Sequence, residues 1–144
     1  MSRYTQNTPL NPAGVFTGGN YVVSMRLYHA QDIECVRAIT APYAFTHGEP
    51  VAWAWDAVGR LGIADIMRPE WGDCPLGPDG RQLSACITGG AGVVESDDMT
   101  PVCWGCGVTP QETVMKAGLQ GTLMVHRSGY ILVLECLDGV LRVE

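Results

Sequence analysis

Residues 21 to 28 read YVVSMRLY, a run of β-branched and aromatic side chains that is typical of a β-strand. The stretch CVRAIT, residues 35 to 40, predicts a second strand on the same grounds. Residues 1–20 are polar and interrupted by proline and glycine, a composition that predicts an extended N-terminal arm. We therefore expect an arm followed by a β-rich domain.

The stretch EPVAWAWDAVGRLGIADIM, residues 49–67, fits either a helix or strands. A helix would contain two glycines and would carry apolar side chains on all sides. Strands would place Val51, Trp53 and Trp55 on one face with alanines on the other. The second pattern is the simpler one, and we favour strands here.

One helix is predicted over residues 109–117. Thr109 is a favourable N-cap, Pro110 occupies the first helical position, and Glu112 completes a capping box. Gly118 lies where a left-handed residue commonly ends a helix. These signals agree with one another and predict a short helix.

The remaining strands are predicted from short apolar runs between turn residues. Residues 82–88 and 92–95 are separated by glycines, and residues 121–126, 130–137 and 140–143 are joined by RSG and by Asp-Gly connections. Short connections join neighbouring antiparallel strands. The last three runs therefore predict an antiparallel meander.

The length of 144 residues fits a single domain. We expect a mainly β (α+β) fold, an antiparallel β sandwich or barrel-like domain over residues 21–144, with one short helix near 109–117 and the arm at 1–20. Apolar residues make up 47% of the chain and charged residues 17%, a balance that excludes disorder over most of it.

Charge and hydropathy restrict the partners. A net charge of −6 argues against nucleic-acid binding, which depends on clustered Lys and Arg. Neither a signal-peptide pattern nor a membrane-length apolar run is present, so we expect cytoplasmic synthesis and no membrane partner. In a reducing compartment the six cysteines are expected to remain thiols or metal ligands.

The sequence Cys103-Trp104-Gly105-Cys106 is a CxxC motif. Two thiolates at this spacing can hold one zinc ion, and Cys74 and Cys86 could complete a four-thiolate site. The same spacing also suits a redox pair at the start of a helix. A third interpretation is that the cysteines are buried structural thiols, and the sequence leaves all three open.

The tripeptide His47-Gly48-Glu49 precedes this CxxC. The combination of HxE with a later CxxC resembles the zinc-dependent cytidine and nucleotide deaminases. That resemblance implies that His47, Cys103 and Cys106 bind zinc and that Glu49 transfers protons for a metal-bound water. Without the resemblance, His47 belongs to a turn at Gly48 and Glu49 is solvated.

Four tryptophans in a small domain indicate either core or interface positions. The segment Pro50 to Trp53, followed by Gly59 to Ala64, resembles the core of lambda-type bacteriophage capsid decoration proteins. This resemblance implies a virion component that binds other coat subunits through its arm and a Trp-bearing face. The expected interface residues are Tyr4, Leu10, Val15, Phe16, Trp53, Trp55 and Trp71.

From these features we favour a structural assembly protein that is not an enzyme, needs no cofactor and acts by self-association or by binding a coat protein in a virion. The alternative is a zinc-dependent deaminase with Glu49 as its acid–base group. A further alternative is a small adaptor or inhibitor that binds another protein.

Overall fold

The computed structural model describes residues 1–77, 80, 98–128, 130 and 135–143. Four antiparallel strands form one sheet in the order β1-β2-β4-β3. The strands are β1 (Ser2–Pro9), β2 (Asn20–His29), β3 (Ala52–Trp53) and β4 (Met99–Gly105). The helices are α1 (Ile33–Thr40), α2 (Trp55–Arg60) and α3 (Thr109–Ala117), with 3-10 turns at Ala30–Asp32 and Asp138–Val140. This architecture confirms the expected class, mainly β or α+β with antiparallel strands.

Strand β2 is the centre of the sheet. It pairs with β1 along one edge and with β4 along the other, so its backbone groups are satisfied on both sides. Its side chains alternate between two faces, and Val23, Met25 and Leu27 enter the main core beneath α2. The other members of that core are Tyr4, Ala52, Ala57, Val58, Ile63, Ile66 and Cys103.

Helix α1 covers part of the opposite face. Ile33 is buried with Val102 and Trp104 of β4, and Val36 and Trp53 pack against this second cluster. The sheet therefore has a helix on each side. Its two faces differ, because one carries the main core and the other carries polar side chains beside the smaller cluster.

The segment predicted as an arm begins with β1. Residues 10–19 then close a loop, in which the amide of Leu10 donates to the carbonyl of Gly19 at 2.9 Å. On the outer side of β1, the Arg3 amide donates to the carbonyl of Trp71 at 3.1 Å. Contacts on both sides thus hold the first residues to the domain.

Residues 35–40 are helical, and the predicted strand is wrong. The β-branched residues of this stretch favour strands only weakly, and burial overrides that preference. Ile33 and Val36 are three residues apart, so a helix brings both onto the apolar part of β4. The favoured strands over 49–67 are correct only for β3, because Ala57 and Val58 enter the core from helix α2.

Helix α3 confirms the predicted helix over residues 109–117. Gly118 ends it with φ +62°, in the left-handed region. Thr109 is not the N-cap residue, which is Val108. The Thr109 hydroxyl instead accepts a hydrogen bond from the Val22 amide at 3.0 Å and thereby joins α3 to β2. In the described part of the chain, no helix has the length and apolar character needed to cross a membrane.

The predicted C-terminal meander is wrong where it can be compared, because residues 122–127 and 135–143 contain no strand. Alternating apolar residues form a stable strand only when a neighbouring strand makes hydrogen bonds with their backbone N–H and C=O groups. Here the carbonyl of His126 instead accepts from Gln111 Nε2 at 2.8 Å. The predicted strands over 82–88 and 92–95, and most of the one over 130–137, lie outside the described residues.

Replacing Met25 by alanine should lower the free energy of unfolding by about 2–5 kcal/mol, because this side chain is 1% exposed and its loss leaves a cavity. Met115 on α3 is 66% exposed and is the matched control, for which a change within about 0.5 kcal/mol is expected. Urea unfolding of both variants measures the difference. Equal losses would contradict this position of the core.

Candidate active site

The polar face of β2 forms the floor of a cleft. Ser24, Arg26 and Tyr28 alternate with the three core residues of this strand and therefore project from the opposite face. Ser24 is buried, Tyr28 is half-buried and Arg26 is exposed. A hydroxyl, a guanidinium and a phenol thus stand in one row along the strand.

Side chains of the neighbouring strands flank this face of β2. Arg3 of β1 and Trp104 of β4 both stand directly opposite Ser24, one on each side. Residues opposite one another in antiparallel strands project from the same face. The three side chains therefore form a second row across the sheet, and the rings of Tyr28 and Trp104 pack in a T-shaped arrangement with 5.9 Å between their centroids.

The chain after α1 closes one side of the cleft. Thr40 ends α1, and the turn that follows carries His47 to the end of β4. The resulting cavity has a volume of about 170 Å³, enough for a small metabolite rather than a nucleotide. It is lined by Met1, Ser24, Arg26, Tyr28, Thr40, His47 and Trp104.

His47 is fixed by one hydrogen bond. Its Nδ1 lies 2.7 Å from the carbonyl oxygen of Gly105. Because a carbonyl can only accept, Nδ1 must carry the proton, and in the neutral ring Nε2 keeps its lone pair. This is the tautomer required of a group that accepts a proton at Nε2 and later returns it.

Arg37 holds the turn that carries His47. Its guanidinium binds Glu34 on its own helix at 2.8 Å and Glu49 beyond the turn at 2.5 Å, and it lies 4.1 Å from the ring centre of Trp53. The hydrogen bonds that Arg37 donates to Glu49 and, second, to Glu34 raise the pKa of Arg37. Since Glu49 is two residues from His47, this ion pair restricts the position of the imidazole.

The zinc site implied by the deaminase resemblance does not assemble. Cys103 is buried on the core face of β4, whereas His47 lies on the side of Trp104. Glu49 binds Arg37, and the Cys74 thiol donates to the carbonyl of Met67 at 3.2 Å. Within the described ranges, no three His, Cys, Asp or Glu side chains are grouped as metal ligands. Cys106 is half-buried, and Cys86 lies outside the described residues.

The expected interface residues are spread over the domain. Tyr4 is in the core, and its hydroxyl donates to the Ile66 carbonyl at 2.5 Å. Burial raises the pKa of the Tyr4 hydroxyl. Val15 is exposed. The others are half-buried, namely Leu10, Phe16, Trp53, Trp55 and Trp71.

Two further cavities carry less chemistry. One of about 350 Å³ is lined mainly by apolar side chains from the 10–16 loop and α3. Another of about 400 Å³ lies beside residues 73–77 and the end of β2. Only the cleft on the polar face of β2 combines an imidazole, a guanidinium and hydroxyls among the described cavities, so we take it as the candidate active site.

Most of this cleft differs from the site predicted from the sequence. Strand β2 is predicted correctly, and the available signal for the cleft is the alternation of Ser24, Arg26 and Tyr28 with apolar residues. His47 is a predicted site residue, but for a different chemistry. The residues around Arg3 do not predict its neighbours. Arg3 lies beside Ser24 because β1 pairs with β2, a strand some twenty residues later in the chain.

A comparison with protein families identifies the domain. The model of the D-glutamate cyclase family matches residues 1–135, nearly the whole chain. The chain belongs to the D-glutamate cyclase family. Residues 1–135 include all of the cleft, so the cleft lies within the part of the chain that the family shares.

Curated relatives of this D-glutamate cyclase family chain are named "Putative hydro-lyase". The protein of Schizosaccharomyces pombe is 38% identical over 89% of this chain and 36% of its own length. That of Rubrobacter xylanophilus is 33% identical over 94% of this chain and 44% of its own length. A third, from Acinetobacter baylyi, is 35% identical over 94% and 42% respectively. The chain thus spans less than half the length of these relatives.

Membership of the D-glutamate cyclase family corrects the functional expectations. The interpretation as a non-enzymatic capsid or virion protein is wrong, because the family and its curated relatives carry the names of enzymes. The deaminase alternative is wrong as well, since the match is to a different family, and so is the alternative of an adaptor or inhibitor, since that family is named for an enzyme. Both resemblances depended on short motifs, and short motifs recur in unrelated folds.

The stability of the domain should decrease in alkali through Cys103. Burial raises the pKa of this thiol to about 12, so above the ordinary thiol value of about 9 the unfolded chain loses its proton before the folded chain does. The stabilisation is complete below pH 9 and is lost as the pH rises towards 12. Urea unfolding between pH 8 and about 10.5 should show a smaller decline for Cys103→Ala.

The matched control for this titration is Cys35→Ala, because Cys35 is an exposed thiol on α1. Its pH dependence should follow that of the parent chain. If Cys103→Ala declined as steeply as the parent, Cys103 would not be the buried thiol that titrates in this range.

Proposed function

We propose that this chain binds an acidic amino acid of the D-glutamate type in the cleft and takes part in cyclising it with loss of water. The description of the family supports the substrate class, and the names of the relatives support the loss of water. An acidic amino acid as substrate and the loss of water are compatible with each other. When the amine of glutamate attacks its own side-chain carboxyl group, the product is a five-membered lactam and one molecule of water leaves.

The observation that carries the proposal is the hydrogen bond between His47 Nδ1 and the Gly105 carbonyl. It orients the imidazole at the cleft and selects the tautomer with an available Nε2. The neighbouring hydroxyls of Ser24 and Tyr28 can donate to carboxylate oxygens, and the Arg26 guanidinium supplies positive charge. The cleft therefore combines proton transfer with carboxylate binding.

The proposed reaction needs only proton transfers besides the new bond. His47 Nε2 takes a proton from the substrate ammonium group, and the amine then attacks the side-chain carboxyl carbon to form the C–N bond. The nitrogen loses its second proton as one carboxyl oxygen gains protons, the C–O bond breaks and water departs. The two protons lost by nitrogen are the two that leave in water, so a single group that alternately accepts and donates can carry both.

Replacing His47 by glutamine should lower kcat about 100-fold or more, because general acid–base groups contribute about 10²–10⁴ in rate. Glutamine can still donate to the Gly105 carbonyl and so keeps the turn. The measurement is conversion of D-glutamate by the purified chain, followed by chiral chromatography and by mass spectrometry for the loss of one water.

His126→Gln is the matched control, since His126 is exposed and its Nε2 lies 2.7 Å from the Tyr130 carbonyl, outside the cleft. It should leave kcat unchanged. Failure of the parent chain to cyclise D-glutamate would overturn the proposed reaction. Cyclisation that survives in His47→Gln would remove His47 from it.

A further inference from the structure

Arg3 is a buried cation with an incomplete set of partners. Its residue surface is 7% exposed, Nη1 lies 3.4 Å from the Met1 carbonyl, and the buried Nε has no hydrogen-bond partner in the described part of the chain. Burying a charged group is costly unless it is paired and hydrogen-bonded. Buried polar atoms without partners are rare and call for a physical reason.

The ion pairs that the structure describes are formed away from Arg3. In the described ranges, ion pairs are formed by Arg37, Arg60, Arg68 and Lys116, each with acids on its own helix or in a nearby turn. Neither Arg3 nor Arg26 takes part in such a pair there. Both stand on the same face of the sheet beside Ser24, in a chain whose net charge is −6.

The register of the strands sets the spacing of these groups. Arg3, Ser24 and Trp104 are direct neighbours on three adjacent strands, and adjacent strands lie about 5 Å apart. His47 reaches the end of this row through Gly105, the residue after Trp104. A short dicarboxylate held at the Arg3 end would therefore extend over Ser24 towards the imidazole.

We propose that Arg3 binds the non-reacting carboxylate of the substrate. It thereby orients an acidic amino acid along the row of Arg3, Ser24 and Trp104 towards His47. This inference rests on the proposed function and names the group that anchors the substrate. The guanidinium provides a planar fork that suits a carboxylate, and its buried Nε has no hydrogen-bond partner among the described residues. Arg26, farther along β2, is placed to bind the reacting carboxyl group.

The test uses glutarate, a five-carbon dicarboxylate that lacks the amine and cannot cyclise. Calorimetric titration of the full chain should show glutarate binding, weakened about tenfold or more in Arg3→Met, because charge-assisted hydrogen bonds are lost. Arg3→Lys should recover only part of that loss, since it keeps the charge but not the fork. The monocarboxylate butyrate should bind weakly to all three proteins.

Thermal unfolding separates binding from a structural role. Without glutarate, Arg3→Met should unfold at the same temperature as the parent or higher, because a buried and incompletely paired charge is replaced by an apolar side chain. With glutarate, the parent should gain thermal stability and Arg3→Met should gain little. Arg68→Met is the matched control, with a side chain 88% exposed, and should resemble the parent in both conditions.

The outcomes distinguish the two proposals. The role of Arg3 would be overturned, with the proposed reaction left in place, if Arg3→Met changed neither the glutarate affinity nor the KM for D-glutamate. A lower unfolding temperature of Arg3→Met with glutarate binding intact would also overturn that role. Glutarate binding that depends on Arg3, in a chain that does not cyclise D-glutamate, would support the anchor and overturn the reaction.

Discussion

Two-sided pairing of β2 is the constraint on which the rest of the structure depends. Because β1 and β4 satisfy its backbone on both edges, its side chains are divided strictly between two faces. Val23, Met25 and Leu27 anchor the core under α2, and their burial fixes the register. The same register then places Ser24 and Arg26 on the face of the cleft, so the stability of the sheet and the layout of the site have one origin.

The domain places its charges in two different ways. Arg37 is held by two glutamates and by Trp53, and this network stabilises the turn before β3. Arg3 is more deeply buried and has far fewer partners. A protein selected for stability alone would pair or replace such a residue, since apolar side chains of similar volume are often as favourable there. The incomplete pairing of Arg3 is expected if, as proposed, its partner is the carboxylate of a substrate.

The predictable parts of the fold are those whose signals are local. Strand β2 and helix α3 were predicted because alternation and the Pro110 and Gly118 signals lie within each element. Helix α1 was missed because its few β-branched residues favour a strand in isolation, and only the apolar surface of β4 makes a helix better. The cleft was less predictable still, since Ser24 and Trp104 meet only through the pairing of β2 with β4, and His47 reaches them through a turn.

His47 and Glu49 show why a short motif misled the functional interpretation. A histidine and a carboxylate two residues apart suit a metal site only if both side chains converge on one point. Here the turn separates them, with His47 bonded to the Gly105 carbonyl and Glu49 bonded to Arg37. The carboxylate thus joins the turn to α1, and the imidazole is held at the cleft by the Gly105 carbonyl. In the proposed reaction, proton transfer belongs to His47 and positioning to Glu49, two residues that the motif alone would assign to a single zinc ion.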